Sequence, residues 1–422
     1  MWEIFTTDLL VKTGPGSRNV LGLASPSSNI VKHVRKIDLL DRPNAFKEAD
    51  QLPQFLAAIP RGQLCGFNSR SGVPISTLEL LLQIHPKLEH FIIPVSQGGS
   101  DTTQSDMVSL QLIGLYISSL TLPATFGTMF QRIDIIALTE LVLNYTGRVA
   151  ELLEAMCSEF QKREPSLRKL RLLLVNEVAS NDVLSQLKLF LLSFHGLRQL
   201  HYQCGNCVKV DVDGIINHGE TITDLLIVNG GVHRQDATKC MSAEDLRKVA
   251  IACPNLKQLC LNLYEIDPDT PEGDFLSPKS TLSSESTEFE NALSAIASMK
   301  ALRLLRLTNP PNYRKAYHRQ GEFMRFFRRS LESGEQRYAF QARADSLVRY
   351  MGDRKSNMRF LAFSPIESLT KAAMADKNGH FWPHYFYSCE RMKGNRGTEI
   401  SIARAVRDWK REMPEATILN EG

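Results

Sequence analysis

The sequence predicts an α/β fold in which short parallel strands and helices alternate along a right-handed superhelix, with a capping segment at its C-terminal end. The first observation is a phrase in which a proline precedes an L-x-x-L-x-L pattern or an apolar variant of it; it reads HPKLEHFII at 85–93, EPSLRKLRL at 164–172 and CPNLKQLCL at 253–261. The second is its period, because the pattern returns roughly every 24–30 residues over most of the chain. One strand and one helix per period is the signature of an irregular leucine-rich-repeat solenoid.

Each copy carries the alternation of a short strand. In LKQLCL, Leu259 and Leu261 are two residues apart and point to one face, whereas Gln258 and Cys260 point to the other. We expect the leucines to face the core and the residues between them to line the opposite, concave surface.

The residues between strands have helical periodicity. Apolar residues share one face in two of these segments: Val149, Leu152, Leu153, Met156 and Phe160 in the first, and Val183, Leu187, Phe190 and Phe194 in the second. One unit cannot bury its apolar face alone, so stacked neighbours are expected to share a continuous core.

Prolines and capping residues mark the helix boundaries. The proline of each phrase ends the preceding helix, because it lacks a backbone N–H and disfavours a helical residue before it. Helix starts are marked by a cap residue followed three positions later by a carboxylate, as at Ser76, Ser242 and Thr287.

The sequence divides into three regions. Residues 1–33 precede the first repeat, residues 34–310 form the solenoid, and residues 311–422 hold the last repeat, basic helices and a hairpin around KGNRG that caps the solenoid. Residues 266–287 are rich in proline, serine and acidic residues, which predicts a flexible insert. The total is about eleven irregular units.

Composition excludes several classes of protein. Hydrophobic residues make up 43% of the 422 residues and charged residues 23%, which is typical of a globular chain. No apolar run reaches the roughly 18 residues of a membrane span, and the N-terminus has no signal-peptide pattern. The 8 cysteines are scattered through apolar runs, which suits a reducing compartment. We therefore predict a cytoplasmic or nuclear protein, or one found in both places.

A family resemblance follows from these features. The irregular repeats, the P-x-L-x-x-L phrases and the ending HYFYSCERMKGNRGTEISIARAVRDWKREMPEATIL resemble the fungal F-box and leucine-rich-repeat-like proteins, over residues 34–422. The resemblance implies a ribonuclease-inhibitor-like βα solenoid. For members with an N-terminal F-box, it also implies docking on the adaptor of a cullin-RING ubiquitin ligase while the repeats select a substrate.

The chain departs from the family pattern at its start. Residues 1–33, which precede the first repeat, contain no visible F-box. Two alternatives stay open: the chain is a binding module without an F-box, or its gene model begins late.

Few residues indicate chemistry. Cys204 and Cys207 form a C-x-x-C pair, but the second pair of a structural zinc site and the strand-to-helix context of a thioredoxin-like redox site are both missing. The sequence also lacks G-x-S-x-G, a phosphate-binding glycine loop, H-E-x-x-H and paired carboxylates. We predict a non-enzymatic protein without a cofactor, and leave open whether the cysteine pair holds a metal.

Basic residues are concentrated at 314–359, where twelve Lys and Arg stand against five Asp and Glu. Arginine and aromatic residues are interleaved in FMRFFRRSLESGEQRYAF, as in RNA-binding or membrane-surface segments. However, Phe323, Phe326 and Phe327 recur at helical spacing, which favours a helix packed on the solenoid.

The concave strand surface is the predicted binding site, because curved repeat surfaces are what such proteins bind with. The partner-binding candidates on this surface are Tyr116, Lys169, Arg171, Gln199, His201 and Arg306. We predict that Lys169 and Arg171, with Gln199 and His201 of the next repeat, form a basic to polar patch that receives an acidic or phosphorylated segment of a protein partner.

The predicted function is therefore non-enzymatic binding of a protein whose identity the sequence does not give. The first alternative is a substrate receptor of an SCF-type cullin-RING ubiquitin ligase, with an adaptor as partner if an F-box exists upstream. The second is an RNA or ribonucleoprotein binder that acts through residues 314–359, although nucleic acid is disfavoured. Membrane binding is not predicted.

Overall fold

The fold is that of a computed structural model of the chain. The residues it describes are 7–12, 31–40, 51–69, 75–85, 88–93, 114–118, 134–144, 149–174, 181–204, 209–229, 240–263, 288–308, 335–363, 385–393, 399–406 and 408–419. They belong to two compact units, Met1–Glu177 and Val178–Gly422.

The described residues of the first unit include seven parallel strands that pair in chain order. They are β1 (Thr7–Lys12), β2 (Val34–Leu40), β3 (Gly66–Ser69), β4 (His90–Ile93), β5 (Gly114–Ser118), β6 (Glu140–Asn144) and β7 (Lys169–Leu174). Parallel neighbours need a crossover connection, which explains why each strand lies one repeat after the last. Strand β1 lies in the region before the first predicted repeat and was not predicted.

Helices occupy several of these crossovers: α1 (Gln51–Ala58), α2 (Ile75–Ile84) and α3 (Val149–Phe160), with a 3₁₀ turn at Val31–His33. The predicted apolar stripe of α3 is confirmed, because Val149, Leu152, Leu153, Met156 and Phe160 are all buried.

The second unit begins with parallel strands in chain order and ends with antiparallel strands. Its strands are β8 (Gln199–Cys204), β9 (Asp224–Asn229), β10 (Gln258–Leu261), β11 (Leu304–Leu307), β12 (Phe360–Phe363), β13 (Tyr385–Lys393) and β14 (Glu399–Val406). Strands β8 to β12 are parallel and in chain order. Strands β13 and β14 are antiparallel, and they occupy the region where the sequence predicts a hairpin.

Helices alternate with the parallel strands of this unit as well. They are α4 (Asn181–Leu192), α5 (Val212–Ile216), α6 (Ala243–Ala252), α7 (Glu288–Ala297) and α8 (Glu335–Asp353), followed after β14 by α9 (Trp409–Glu412) and a 3₁₀ turn at Thr417–Leu419. A mixed α/β architecture with long parallel arrays is therefore confirmed. The predicted flexible insert at 266–287 lies outside the described residues, as does 311–334.

The start and end of α6 follow from local sequence. Ser242 accepts from the backbone N–H of Asp245, and the Asp245 carboxylate accepts in return from the backbone N–H of Ser242, so the predicted capping box is confirmed. Lys209 adds an ion pair to Asp245. These contacts lower the pKa of Asp245, against the opposing effect of burial. The helix ends at Ala252, two residues before Pro254.

Helix α8 covers part of the outer edge of β14. The side-chain amide of Gln341 donates to the backbone oxygen of Ala403 over 2.6 Å, and the backbone N–H of Ala403 donates to Asp345 over 2.8 Å. Two side chains thus satisfy edge groups that a further strand would otherwise pair with.

The close approach of α8 to β14 requires glycine at position 352. A Cβ at Gly352 would stand 2.0 Å from the hydroxyl oxygen and 2.6 Å from the Cβ of Ser401. We expect Gly352→Ala to lower the free energy of unfolding by about 1–3 kcal/mol, because the helix must move off the strand. Urea unfolding measures the loss.

The matched control for this prediction is the double variant Gly352→Ala/Ser401→Gly, which removes the obstructing side chain. It should recover most of the lost stability relative to Ser401→Gly alone. If Gly352→Ala lowers the free energy of unfolding equally with serine and with glycine at position 401, the contact with Ser401 does not cause the loss of stability.

Candidate protein-interaction surface

In the first unit, β6 and β7 show the alternation that the sequence predicts. Leu170 and Leu172 are buried, whereas Lys169 is exposed and Arg171 half-buried on the opposite face of the strand. The register places Lys169 beside Glu140 of β6, and Arg171 beside Val142. The strand face here therefore carries a negative charge from Glu140 beside the positive charge of Lys169. Val142, beside Arg171, is buried at 4% exposure.

Tyr116, the predicted aromatic anchor, lies in the same row of the sheet. Its backbone is paired in register with Ile92 of β4 on one side and with Val142 of β6 on the other. Because Val142 is in turn opposite Arg171, the structure brings the backbones of Tyr116 and Arg171 to the same level, two strands apart.

In the second unit, Gln199 and His201 lie on β8 and have neighbours on β9. The amide of Gln199 donates to the carboxylate of Asp224 over 2.8 Å. Burial raises the pKa of Asp224, and the bond from Gln199 and the charge of His201 partly oppose that rise. His201 is itself only 6% exposed. The four residues of the predicted basic to polar patch thus divide between the units, with Lys169 and Arg171 in the first.

The strand face from β9 to β12 is covered by residues 408–419, which we call the cover segment. Met413, Ala416, Ile418 and Leu419 of this segment form one apolar cluster with residues that point out of the sheet. Those strand residues are Leu226, Val228, Cys260, Leu304 and Ala362, with Phe360 and Phe386 packed beside them. Trp409 packs its ring against that of Phe386, with ring centroids 5.6 Å apart.

Polar side chains of the same face hold the backbone of the cover segment. The Gln258 amide donates to the carbonyl of Glu415 over 2.8 Å and accepts from the backbone N–H of Ile418 over 3.4 Å. Arg306 donates to the carbonyl of Ile418. Both side chains are 5% exposed. Arg306, which the sequence analysis assigns to a partner, therefore contacts the chain's own segment here.

Comparisons with known proteins do not identify a family for this chain. No protein-family model matches the chain, and no curated protein matches it. Among solved structures, the chain is similar to the leucine-rich repeat-containing protein LegL7 from Legionella pneumophila, with 13% sequence identity and a TM-score of 0.34, covering 88% of this chain and 92% of that chain. At this TM-score the match does not define a common fold. The fold is instead defined by the strand pairing and side-chain contacts of the chain itself.

Other candidate chemistry finds little support in the described part of the chain. Cys204 is buried and disulfide-bonded, and Cys207 lies outside the described residues. Burial raises the pKa of the Cys389 thiol to about 12, so it is not a reactive thiolate. Within the described ranges, His, Cys, Asp and Glu side chains do not cluster as metal ligands, and no helix is long and apolar enough to cross a membrane.

The described part of the basic region is helix α8 and the turn that follows it. Arg343 is buried, and the guanidinium of Arg354 lies over the ring of Tyr350, 3.5 Å from its centroid. Two arginines of 314–359 therefore contact other parts of the protein instead of standing fully exposed to a nucleic acid.

Sequence reasoning missed the cover segment. A signal was present, because the outward positions of β9 to β12 include several apolar residues beside the polar ones, whereas those of β7 include Lys169 and Arg171. Leu226, Cys260 and Leu304 would be unfavourable on an exposed surface. Three apolar outward positions in adjacent strands predict that something covers them.

Proposed function

We propose that the chain is a non-enzymatic leucine-rich-repeat solenoid that binds a protein partner on the strand face of its first unit. The observation that carries the proposal is the contrast between the two faces. Lys169 is exposed and Arg171 half-buried on their strand face, whereas the equivalent positions of β9 to β12, except for the partly buried Phe360, are buried at the face that the cover segment contacts.

The chemistry of this face indicates the kind of partner. Arg and Tyr are enriched where partners bind most strongly, and Arg171 and Tyr116 share one row of the sheet. Lys169 and Arg171 favour carboxylate or phosphate groups. The partner is then a protein segment with an acidic or phosphorylated residue.

The test is affinity purification with the full chain and with the double variant Lys169→Glu/Arg171→Glu. Reversal of both charges should reduce capture of the main partner at least about tenfold, because it places like charges across the interface. The melting temperature should stay unchanged, since neither side chain is in the core. Mass spectrometry identifies and quantifies the captured proteins.

The matched control is Lys162→Glu/Arg163→Glu, which makes the same charge change just after α3. These side chains are 65% and 64% exposed, and the control should capture the partner as the unchanged protein does. Equal capture by both double variants would remove the face of β6 and β7 from consideration.

Two narrower functions remain predictions with their own readouts. A role as substrate receptor of a cullin-RING ligase requires an adaptor among the captured proteins. Binding of RNA through residues 314–359 requires retention on RNA that falls steeply with salt.

A further inference from the structure

The cover segment is held in the way that a bound peptide is held. Between Trp409 and Leu419 it contains one short helix and one 3₁₀ turn. On the strand face, the side chains of Gln258 and Arg306 hydrogen-bond backbone atoms of Glu415 and Ile418, and the Thr417 hydroxyl also donates to Gln258. Backbone groups are present in any peptide, so these contacts fix position, while apolar side chains supply selectivity.

The face beneath the segment contains polar groups that permanent burial would make costly. Asp224, Gln258 and Arg306 are 4%, 5% and 5% exposed. Burying a charged side chain costs free energy unless its partners compensate fully, and an apolar side chain in its place would pack at lower cost. Polar side chains on this face become favourable when the face is uncovered, because water can then hydrate them.

The two ends of the segment are attached differently. At its start, Glu412 pairs with Arg404 of β14 over 2.9 Å, and Trp409 packs on Phe386. At its end, Ile418 and Leu419 are held by the apolar cluster and the side chains of Gln258 and Arg306. The contacts of Glu412 and Trp409 with β14 and β13 are thus made by other residues than the hydrogen bonds of Ile418 to Gln258 and Arg306.

We propose that the strand face of β9 to β12 is a second binding site, for an apolar peptide segment, and that the cover segment is its built-in competitor. The segment itself describes the ligand class: an apolar residue, a small one three positions later, and two adjacent apolar residues beginning two positions after that, as Met413, Ala416, Ile418 and Leu419 are arranged. The partner is a peptide of this pattern whose backbone faces Gln258 and Arg306.

The experiment uses a labelled synthetic peptide with the sequence of residues 408–419, DWKREMPEATIL, added to the full chain. Ile418→Asp in the protein places a charge in the apolar cluster and loosens the segment. The peptide should bind this variant at least about tenfold more tightly than the unchanged protein, whose own segment competes at high effective concentration. Fluorescence anisotropy reports the affinity.

Three controls make the result specific. A peptide with aspartate at the position of Ile418 should not bind, and Arg306→Ala added to Ile418→Asp should weaken binding. Lys169→Glu/Arg171→Glu added to Ile418→Asp should leave peptide binding unchanged, which separates this site from the one proposed in the first unit. Failure of the peptide to bind the folded Ile418→Asp variant, or equal binding to the unchanged protein, would overturn the proposal.

Hydrogen exchange on the unchanged protein decides the matter if Ile418→Asp does not fold. The backbone N–H groups of Met413, Ala416 and Ile418 are hydrogen-bonded in the structure. They should exchange at least about tenfold faster than those of β9 to β11, because the segment opens without unfolding of the sheet. Equal protection would mean that the segment opens only when the unit unfolds, and the proposal would then fail.

Discussion

Replacing Gly219 with alanine is expected to destabilise the second unit by about 3 kcal/mol or more, which is the high end for overpacking. A Cβ at this position would stand 2.1 Å from the backbone oxygen of Ala252, the last residue of α6. Since the obstructing atom belongs to the backbone, no side-chain rotation can relieve the contact. Thermal unfolding should show a midpoint roughly 6–12 °C lower for a unit of this size.

Gly62→Ala in the first unit is the matched control, because it changes the same residue type for a different reason. Gly62 has a φ of +73° and nothing within 4 Å of its added Cβ. Its replacement should cost only about 1 kcal/mol, from the left-handed backbone. A loss for Gly219→Ala no larger than that for Gly62→Ala would contradict the close packing of α6 on the turn that follows α5.

Acidification from pH 6.5 to pH 4 is expected to remove about 2–3 kcal/mol of stability through His218 alone. Burial lowers the pKa of His218 from 6.5 to about 4, with a smaller contribution from the charge of His195. Its ring is 1% exposed and packs on that of Phe194, with centroids 4.7 Å apart. The unfolded chain binds a proton below pH 6.5 that the folded chain does not bind until about pH 4. This contribution is therefore fully present above pH 6.5 and is lost as the pH falls to 4.

The measurement is the free energy of unfolding as a function of pH for the unchanged protein and for His218→Phe. Phenylalanine has a similar size and does not titrate, so the difference between the two curves isolates this residue. The stability of the unchanged protein relative to that of His218→Phe should fall by about 2–3 kcal/mol as the pH falls from 6.5 to 4. Parallel curves over that range would show that His218 has the same pKa in both states.

The alternation of the strands was predictable from sequence because its cause is local. In KLRLLL, Leu170, Leu172 and Leu174 are buried, while the residues between them are more exposed. The capping box at Ser242 and the helix end before Pro254 were predictable for the same reason, since each depends on residues within a few positions.

The features that sequence reasoning missed depend on contacts between distant residues. Strand β1 lacks a recognisable repeat and is defined by its pairing with β2. The cover segment reaches Gln258 from Glu415, 157 residues away. Gly219 is required because of the carbonyl of Ala252 on a later helix. Such contacts leave no local pattern, although the apolar outward positions of β9 to β12 pointed to a cover.

Lysine footprinting of the complex shows whether the partner binds the strand face of the first unit. The protein is acetylated alone and with the partner identified by affinity purification, and reactivity is read by mass spectrometry. We expect the reactivity of Lys169 to fall about tenfold or more in the complex, because the core of an interface excludes water, while that of Lys162 stays the same. Unchanged reactivity of Lys169 in the bound protein would mean that the partner does not bind this face.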